Sequence, residues 1–214
     1  MKRIKKIIGI VLCITLFTTL VNIPNQYVYA TQNKTYNYSK GYSIQGNGAD
    51  DIVNVAMAQV GKTGAQLGYS EQWCADFVSD CADLAGQGSA IPRNGYCPSL
   101  QNAIINAGGY NVSVNTARKG DIAFYGTNGA DHVEIVYANN GGRISTIGGN
   151  SGSGRDCYSR SVRNHTYQTM TITKVLRPNY RQSAAVLPGT VDSSWNVPTS
   201  VSASHRITTY DQWG

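Results

Sequence analysis

The hydrophobic period of the chain changes near residue 110, and this change constrains the fold more than any other feature. Before it, apolar residues recur at helical spacing in three segments, at 49–61, 73–85 and 97–109. After it come short runs rich in β-branched and aromatic residues, separated by turns: GDIAFYG, HVEIVYA, RISTIGG and TITKVLRP. Helices followed by antiparallel strands predict an α+β domain, with the helices packed on one face of a sheet.

Cys74 stands where the second helical segment begins, in the run EQWCADFVSDCADLAG. Apolar residues from this position follow the i, i+3, i+4, i+7 stripe of a helix with one buried face. The free N–H groups and the dipole of a helix N-terminus stabilise a thiolate, so this position suits a nucleophile. The alternative is an inert buried thiol, because free cysteine is among the most buried residue types. The polar loop before Cys74 favours the nucleophile.

A histidine and an asparagine flank the hairpin that follows. His132 opens the strand HVEIVYA, and Asn150 closes the next strand. An imidazole near a thiol can take its proton, and a polar group on the other ring nitrogen fixes the tautomer. A three-residue loop centred on Gly141 places Asn150 opposite His132, whereas a two-residue turn on Asn140 and Gly141 places Gly149 there. Only the first register gives the imidazole an amide neighbour.

Glu134 is the alternative orienting residue. Residues two apart on a strand share a face, so its side chain lies on the same face as His132. A carboxylate would stabilise the imidazolium more strongly than an amide. We favour Asn150, because a residue directly opposite the base is better placed than its neighbour on the same strand.

Three further cysteines, Cys81, Cys97 and Cys157, follow the candidate nucleophile. One disulfide and one free thiol are compatible with this number, and the sequence does not choose among the three pairings. Cys81 continues the apolar stripe of its helix and suits the core or a disulfide. The chain has no CxxC pair, and the spacing of its cysteines fits no compact zinc site. We therefore expect neither a metal nor a cofactor.

The N-terminus has the pattern of a secretory signal at residues 1–30. A positive segment, MKRIKK, precedes 17 mostly apolar positions, and the run YVYA ends at Ala30, where a signal peptidase could cleave. The alternative is an uncleaved anchor, but a spanning helix needs about 20 apolar residues. We therefore expect a secreted product with no stable membrane association after cleavage.

Removal of that segment changes the charge of the chain. It takes away four basic residues and no acid, so the formal net charge falls from +6 to +2. No basic block remains, which argues against nucleic acid as a partner. A slightly cationic product would be attracted weakly to an anionic cell wall.

Five runs, in this order and spacing, resemble the CHAP family of cysteine- and histidine-dependent amidohydrolases and peptidases: WCADFVSDCADLAG, KGDIAFYG, DHVEIVY, ISTIGGNSGSG and VLRPNY. These enzymes are papain-like relatives of the NlpC-type wall hydrolases, and the resemblance covers roughly residues 45–181. It implies a papain-like fold, with Cys74 as nucleophile, His132 as base and Asn150 as orienting residue. Many members have a glutamate two residues before that asparagine, where this chain has Gly148.

The resemblance also implies a substrate, the peptidoglycan of the bacterial cell wall. The expected function is that of a secreted, wall-associated hydrolase, either an N-acetylmuramoyl-L-alanine amidase or a peptide endopeptidase. The backbone N–H of Cys74 is one natural oxyanion donor. Gln72 is a candidate second donor, as glutamines are in papain-like enzymes, and its alternative is a plain surface residue. A wall-binding or surface module that has lost activity is the other functional class, which Gly148 in place of the acid favours.

The expected organisation follows from these boundaries. A signal at 1–30 precedes a polar N-terminal arm at 31–44 and the CHAP-like catalytic domain at 45–181. The remainder, 182–214, is rich in Ser, Thr and Val and reads as a linker leading to the start of a further module or to a pendant strand.

Overall fold

Helices occupy the first half of the described chain and strands the second. The computed structural model describes residues 35–154, 157, 159–166 and 171–182. Its α-helices are α1 (Gly48–Met57), α2 (Gly64–Leu67), α3 (Cys74–Leu84) and α4 (Cys97–Asn106). Its strands are β1 (Tyr110–Val112), β2 (Ile122–Tyr125), β3 (His132–Asn140), β4 (Arg143–Ser151), β5 (Ser161–His165) and β6 (Ile172–Arg177). The expected signal at 1–30 and the residues after 182 lie outside the described part.

The strands form one antiparallel sheet in the order β1-β6-β2-β3-β4-β5. Helices packed against a six-stranded antiparallel sheet confirm the predicted α+β class. The two edge strands, β1 and β5, were not predicted. Each is short and largely unburied, so neither has the apolar signal by which a strand is recognised in a sequence.

Helix α3 lies at the centre of the fold, between α1 and the strands β3 and β4. Nearly every residue of α3 is buried, including the acidic Asp80. A buried carboxylate requires partners, and those of Asp80 include the Arg93 guanidinium and the Tyr69 hydroxyl. The Tyr69 ring stacks on Trp73, with centroids 5.0 Å apart, and both rings are fully buried. These contacts fix the helix end at which Cys74 stands.

The polar arm before α1 also packs on this helix. Tyr38 is buried, and its ring stacks on Phe77 at 6.1 Å. Its hydroxyl lies 2.9 Å from that of Tyr69. The described part of the segment 31–44 therefore contributes to the same core as the helices.

The sheet has two different faces. Val133, Ile135 and Ile147 belong to the main core, which fills the space between the sheet and the helices. Tyr125 and Val136, on the opposite face, belong to a smaller apolar cluster. Because side chains alternate along a strand, His132 and Glu134, at the start of β3, also point to this second face.

The β3–β4 hairpin reaches one of the two predicted registers by a different turn. Its loop is Gly141–Gly142, both with positive φ, instead of either predicted turn. A bulge near Tyr137 then shifts the pairing by one residue, so that Ile135 pairs with Ile147. This is the pairing that a three-residue loop centred on Gly141 would give. The bulge compensates for the shorter turn, and a pattern of apolar residues does not reveal it.

Within the described residues, no helix combines the length and hydropathy that a bilayer crossing requires.

Candidate active site

Cys74 is the first residue of α3, and its thiol is buried, with 6% of the residue exposed. Three groups surround the sulfur: the Cys97 thiol, the His132 imidazole and the backbone N–H of Val133. Hydrogen bonds from Cys97 and then His132 outweigh the effect of burial and hold the pKa of the Cys74 thiol well below its usual range. The helix N-terminus also favours the anion. The site is therefore built to hold a thiolate.

His132 opens β3 and lies between the thiol and a carboxylate. Its Nε2 is 3.1 Å from Oε1 of Glu134, and its side chain also hydrogen-bonds Cys74. Burial disfavours the imidazolium, but the bonds to Cys74 and Glu134 prevail and raise the pKa of His132 to about 10. At neutral pH the arrangement favours a thiolate–imidazolium pair over a neutral thiol and imidazole.

Glu134 is the most heavily hydrogen-bonded side chain of the site and is only 1% exposed. Its Oε1 lies near His132, the Ser151 hydroxyl at 3.1 Å and Nε2 of His165 at 3.3 Å. Its Oε2 accepts from Thr146 Oγ1 at 2.5 Å and from the Tyr125 hydroxyl at 3.3 Å. Burial raises the pKa of this carboxyl, but the hydrogen bonds from the two histidines and Thr146 lower it well below its usual range. Glu134 is thus held as a carboxylate.

The Asn150 side chain does not take the position expected for it beside the imidazole. Its Nδ2 donates to Oε1 of Gln72, on the loop before α3, and its Oδ1 is buried and accepts no bond from the described residues. The cause is local backbone geometry, since Asn150 has a φ of 55°, in the left-handed region. This residue breaks the alternation of β4, and Ser151 takes the place facing His132, with Oγ 3.3 Å from Nε2.

Gln72 is exposed and immediately precedes Trp73 and the helix. Its Oε1 accepts the bond from Asn150, and its Nε2 takes no part in that bond. Gln72 is two residues before Cys74, the candidate nucleophile.

Gly148 lies where many CHAP sequences have a glutamate, and Glu134 fills the space it leaves. A Cβ added to Gly148 would collide with Cγ, Cδ and Oε1 of Glu134. The carboxylate near the imidazole therefore comes from β3 in this chain, two residues after the histidine. This geometry places the alternative orienting residue of the sequence analysis, Glu134, in contact with His132.

The family model of the CHAP domain matches residues 64–150, which include Cys74, His132 and Asn150. Residues 64–150 are a CHAP domain. This match lies inside the range 45–181 over which the sequence resembles the family. Ser151 and His165, which complete the surroundings of Glu134, lie beyond the matched segment.

Solved structures similar to this chain include a variant of the Resuscitation Promoting Factor Interacting protein RipA. That match has a TM-score of 0.44 and 22% identity, and covers 64% of this chain and 63% of RipA. A second is the peptidoglycan hydrolase RipB from Mycobacterium tuberculosis, with a TM-score of 0.40 and 21% identity, over 61% of this chain and 64% of RipB. The chain thus spans just under two thirds of each structure. No curated protein sequence matches it.

Three residues around the CHAP site were not predicted as parts of it: Ser151, His165 and Cys97. His165 reaches Glu134 only through the pairing of β5 with β4, opposite Thr146. Cys97, the first residue of α4, reaches Cys74 because two helix N-termini meet, with the sulfur atoms 3.7 Å apart. The contacts of His165 with Glu134 and of Cys97 with Cys74 both join segments that are distant in sequence. The sequence pointed to them only by containing histidines and cysteines to which no role had been assigned.

The four described cysteines are all free thiols, so the disulfide left open by their number is not formed. Cys81 is fully buried along α3 and Cys157 is partly exposed. Among the described residues, no group of three or more His, Cys, Asp or Glu side chains has the arrangement of a metal site.

Proposed function

We propose that this chain is a secreted hydrolase that cleaves an amide bond of bacterial peptidoglycan through Cys74. The observation that carries the proposal is the continuous contact from the buried Cys74 to the partly buried His132 and from His132 to the buried Glu134. A thiol of lowered pKa beside an imidazole that is itself fixed by a carboxylate is the arrangement required for nucleophilic acyl transfer. The CHAP domain supports the amide of the cell wall as the substrate class.

The reaction begins with attack of the Cys74 thiolate on the carbonyl carbon of the scissile amide. The negative charge moves to the carbonyl oxygen, where the Cys74 N–H and the Gln72 side-chain amide are the proposed donors. The His132 imidazolium then gives its proton to the amide nitrogen, the C–N bond breaks and an amine leaves. A thioester on Cys74 and a neutral imidazole remain.

The second half of the reaction consumes water. Neutral His132 takes a proton from a water molecule as the water attacks the thioester carbonyl. Collapse of the second tetrahedral intermediate breaks the C–S bond, releases the carboxylic acid and restores the thiolate–imidazolium pair. Glu134 keeps the ring orientation and stabilises its charged form in both halves.

We assign the orienting role to Glu134 and a supporting role to Asn150. The contacts of Asn150 are with Gln72, so its side chain acts on the proposed oxyanion donor and not on the base. Glu134 also bears on the alternative class, an inactive wall-binding module. That reading relied on Gly148 in place of an acid, and a carboxylate is present beside the imidazole from another position.

The choice between an amidase and an endopeptidase rests on the fragments released. Purified cell walls are incubated with the wild-type protein, with Cys74→Ser and with the matched control Cys157→Ser, which changes a partly exposed cysteine. We expect the wild type and the control to lyse walls and Cys74→Ser to be inactive with an unchanged melting temperature.

Mass spectrometry then identifies the bond that is cleaved. Intact stem peptides free of sugar indicate an amidase, whereas shortened stems or opened bridges indicate an endopeptidase. Wall binding without fragments from the wild type would support the inactive module instead.

A further inference from the structure

We propose that Cys97 is a positioning residue for the proposed hydrolysis, and that its thiol donates a hydrogen bond to the sulfur of Cys74. The inference rests on the proposed role of Cys74. The two sulfur atoms are 3.7 Å apart, and both residues are buried, with 6% of Cys74 and 4% of Cys97 exposed. The separation is far longer than a disulfide bond of about 2.05 Å, so this is a contact between two thiol groups.

The direction of the bond follows from the other neighbours of each sulfur. Cys74 also faces the His132 imidazole and the Val133 N–H, both of which stabilise a negative charge on it. Cys97 is in contact with Cys74 and is also affected by the charge of Asp131, and both disfavour a second negative charge on Cys97. The hydrogen bond to Cys74 and burial raise the pKa of Cys97 well above its usual range. Cys97 therefore keeps its proton and is the donor.

The architecture explains how a residue 23 positions away reaches this place. Cys74 and Cys97 are the first residues of α3 and α4, and the N-terminal ends of these helices meet in the core. Cys97 thus completes a set of three donors around one buried sulfur: an imidazolium, a backbone N–H and a thiol. A neutral donor that is paired with the resting thiolate increases the fraction of Cys74 that is ionised, at some cost in intrinsic nucleophilicity.

This balance gives a readout that a purely structural role would not change. Loss of the donor should raise the pH at which Cys74 ionises, without lowering its reactivity once ionised. The rate of iodoacetamide alkylation of Cys74 is measured against pH by mass spectrometry of its peptide, in the presence of a phosphine reductant. The variants are Cys97→Ala, which removes the donor, and Cys97→Ser, which keeps one. Cys81→Ala is the matched control, because it changes an equally buried cysteine of α3.

We expect Cys97→Ala to raise the midpoint of Cys74 alkylation by about one pH unit, the size of a hydrogen bond to a charged group. Cys97→Ser should recover at least about half of that shift, and Cys81→Ala should leave the midpoint unchanged. Above the midpoint, Cys97→Ala should be alkylated at least as fast as the wild type. An unshifted midpoint in Cys97→Ala, or an equal shift in Cys97→Ser, would overturn the proposal.

A reciprocal measurement decides the matter if Cys97→Ala does not fold. Because coupling between two groups is mutual, Cys74→Ala should lower the midpoint at which Cys97 is alkylated. An unchanged Cys97 midpoint contradicts the proposal. These labelling experiments need no substrate. A protein with the expected shifts but no wall hydrolysis would therefore refute the proposed function alone, and active protein without the shifts would refute only the role of Cys97.

Discussion

The Glu134 carboxylate lies in the space that a side chain at position 148 would occupy, on the facing strand of the same hairpin. The carboxylate beside the His132 imidazole is therefore on β3, and the facing position on β4 is a glycine. A glycine at 148 and a glutamate at 134 belong to one arrangement, because a side chain at 148 would collide with that of Glu134.

Glu134→Gln should be the most damaging substitution outside the Cys74–His132 pair. The amide preserves size and one acceptor oxygen, but it removes the negative charge that stabilises the imidazolium. We expect kcat/KM on purified walls to fall on the order of a thousandfold. Tyr137→Phe is a suitable control on the same strand, since its hydroxyl bonds the backbone of His165 on β5 and not the carboxylate. Near-normal activity in Glu134→Gln would return the orienting role to Asn150.

The pH dependence of hydrolysis should be broad, because the two ionising groups of the pair are shifted in opposite directions. The acid limb should lie below the ordinary thiol range near pH 8.5, since the Cys74 pKa is lowered. The alkaline limb should lie near pH 10, where His132 loses the proton that the leaving amine requires. In the residual activity of Glu134→Gln, that alkaline limb should move to lower pH, because the carboxylate is one of the groups that raise the His132 pKa. A limb that stays in place would contradict the contact between them.

Asn150 and Gln72 should behave as a unit. Asn150→Ala removes the group that fixes the Gln72 amide, so we expect kcat to fall about tenfold, equivalent to about 1.4 kcal/mol of transition-state stabilisation. The double variant with Gln72→Ala should be no worse than Gln72→Ala alone, because one residue acts through the other. The pH profile should keep its wild-type limbs. Additive losses, or a shifted alkaline limb in Asn150→Ala, would show instead that Asn150 acts on His132.

Much of this site could be predicted from the sequence, and the exceptions have identifiable causes. Helix α3 and strand β3 carry long apolar patterns, which is why Cys74 and His132 were recognised at the ends of regular elements. Asn150 was assigned to the imidazole because the hairpin register places it opposite His132, and a positive φ at a residue other than glycine leaves no trace in the pattern that defines the register. Because the alternation is broken at Asn150, its side chain contacts Gln72 and not the imidazole.

The remaining differences come from contacts between distant segments. His165 lies on an edge strand that the sequence did not reveal, and it approaches Glu134 only when that strand pairs with β4. Cys97 meets Cys74 through the packing of two helix ends. Local periodicity identifies elements and their buried faces, but it does not specify which ends of two elements come together.

Hydrolysis should survive EDTA and be abolished by alkylation of thiols. The proposed nucleophile is the Cys74 thiolate, which is activated by His132 and needs no metal-bound water. Lysis of purified walls is measured after dialysis against EDTA and, separately, after iodoacetamide treatment, with back-addition of zinc as the control. Inhibition by EDTA that zinc restores would contradict the thiol mechanism.

The acid should be transferable between the two strands of the hairpin. In Gly148→Glu alone, two carboxylates compete for one buried space, and we expect a loss of stability on the order of 2 kcal/mol together with reduced activity. In the double variant Glu134→Ala with Gly148→Glu, the space is vacated and the new carboxylate enters it from β4. Gly148 has no positive φ, so its backbone accepts a side chain. The double variant should therefore be at least about tenfold more active than Glu134→Ala.

The matched control is Glu134→Ala with Gly148→Gln, which fills the same space with an amide of the same length. It should be as stable as the glutamate double variant but should recover little activity, because the imidazolium needs the negative charge. The alkaline limb of the pH profile should return towards pH 10 only with glutamate, since the charge is what raises the His132 pKa. Equal recovery with glutamine would mean that Glu134 acts by filling space and holding the ring, and its charge would have no part in the mechanism. A folded glutamate double variant no more active than Glu134→Ala would show that the carboxylate works only from β3, where Ser151, Thr146 and His165 already bond it.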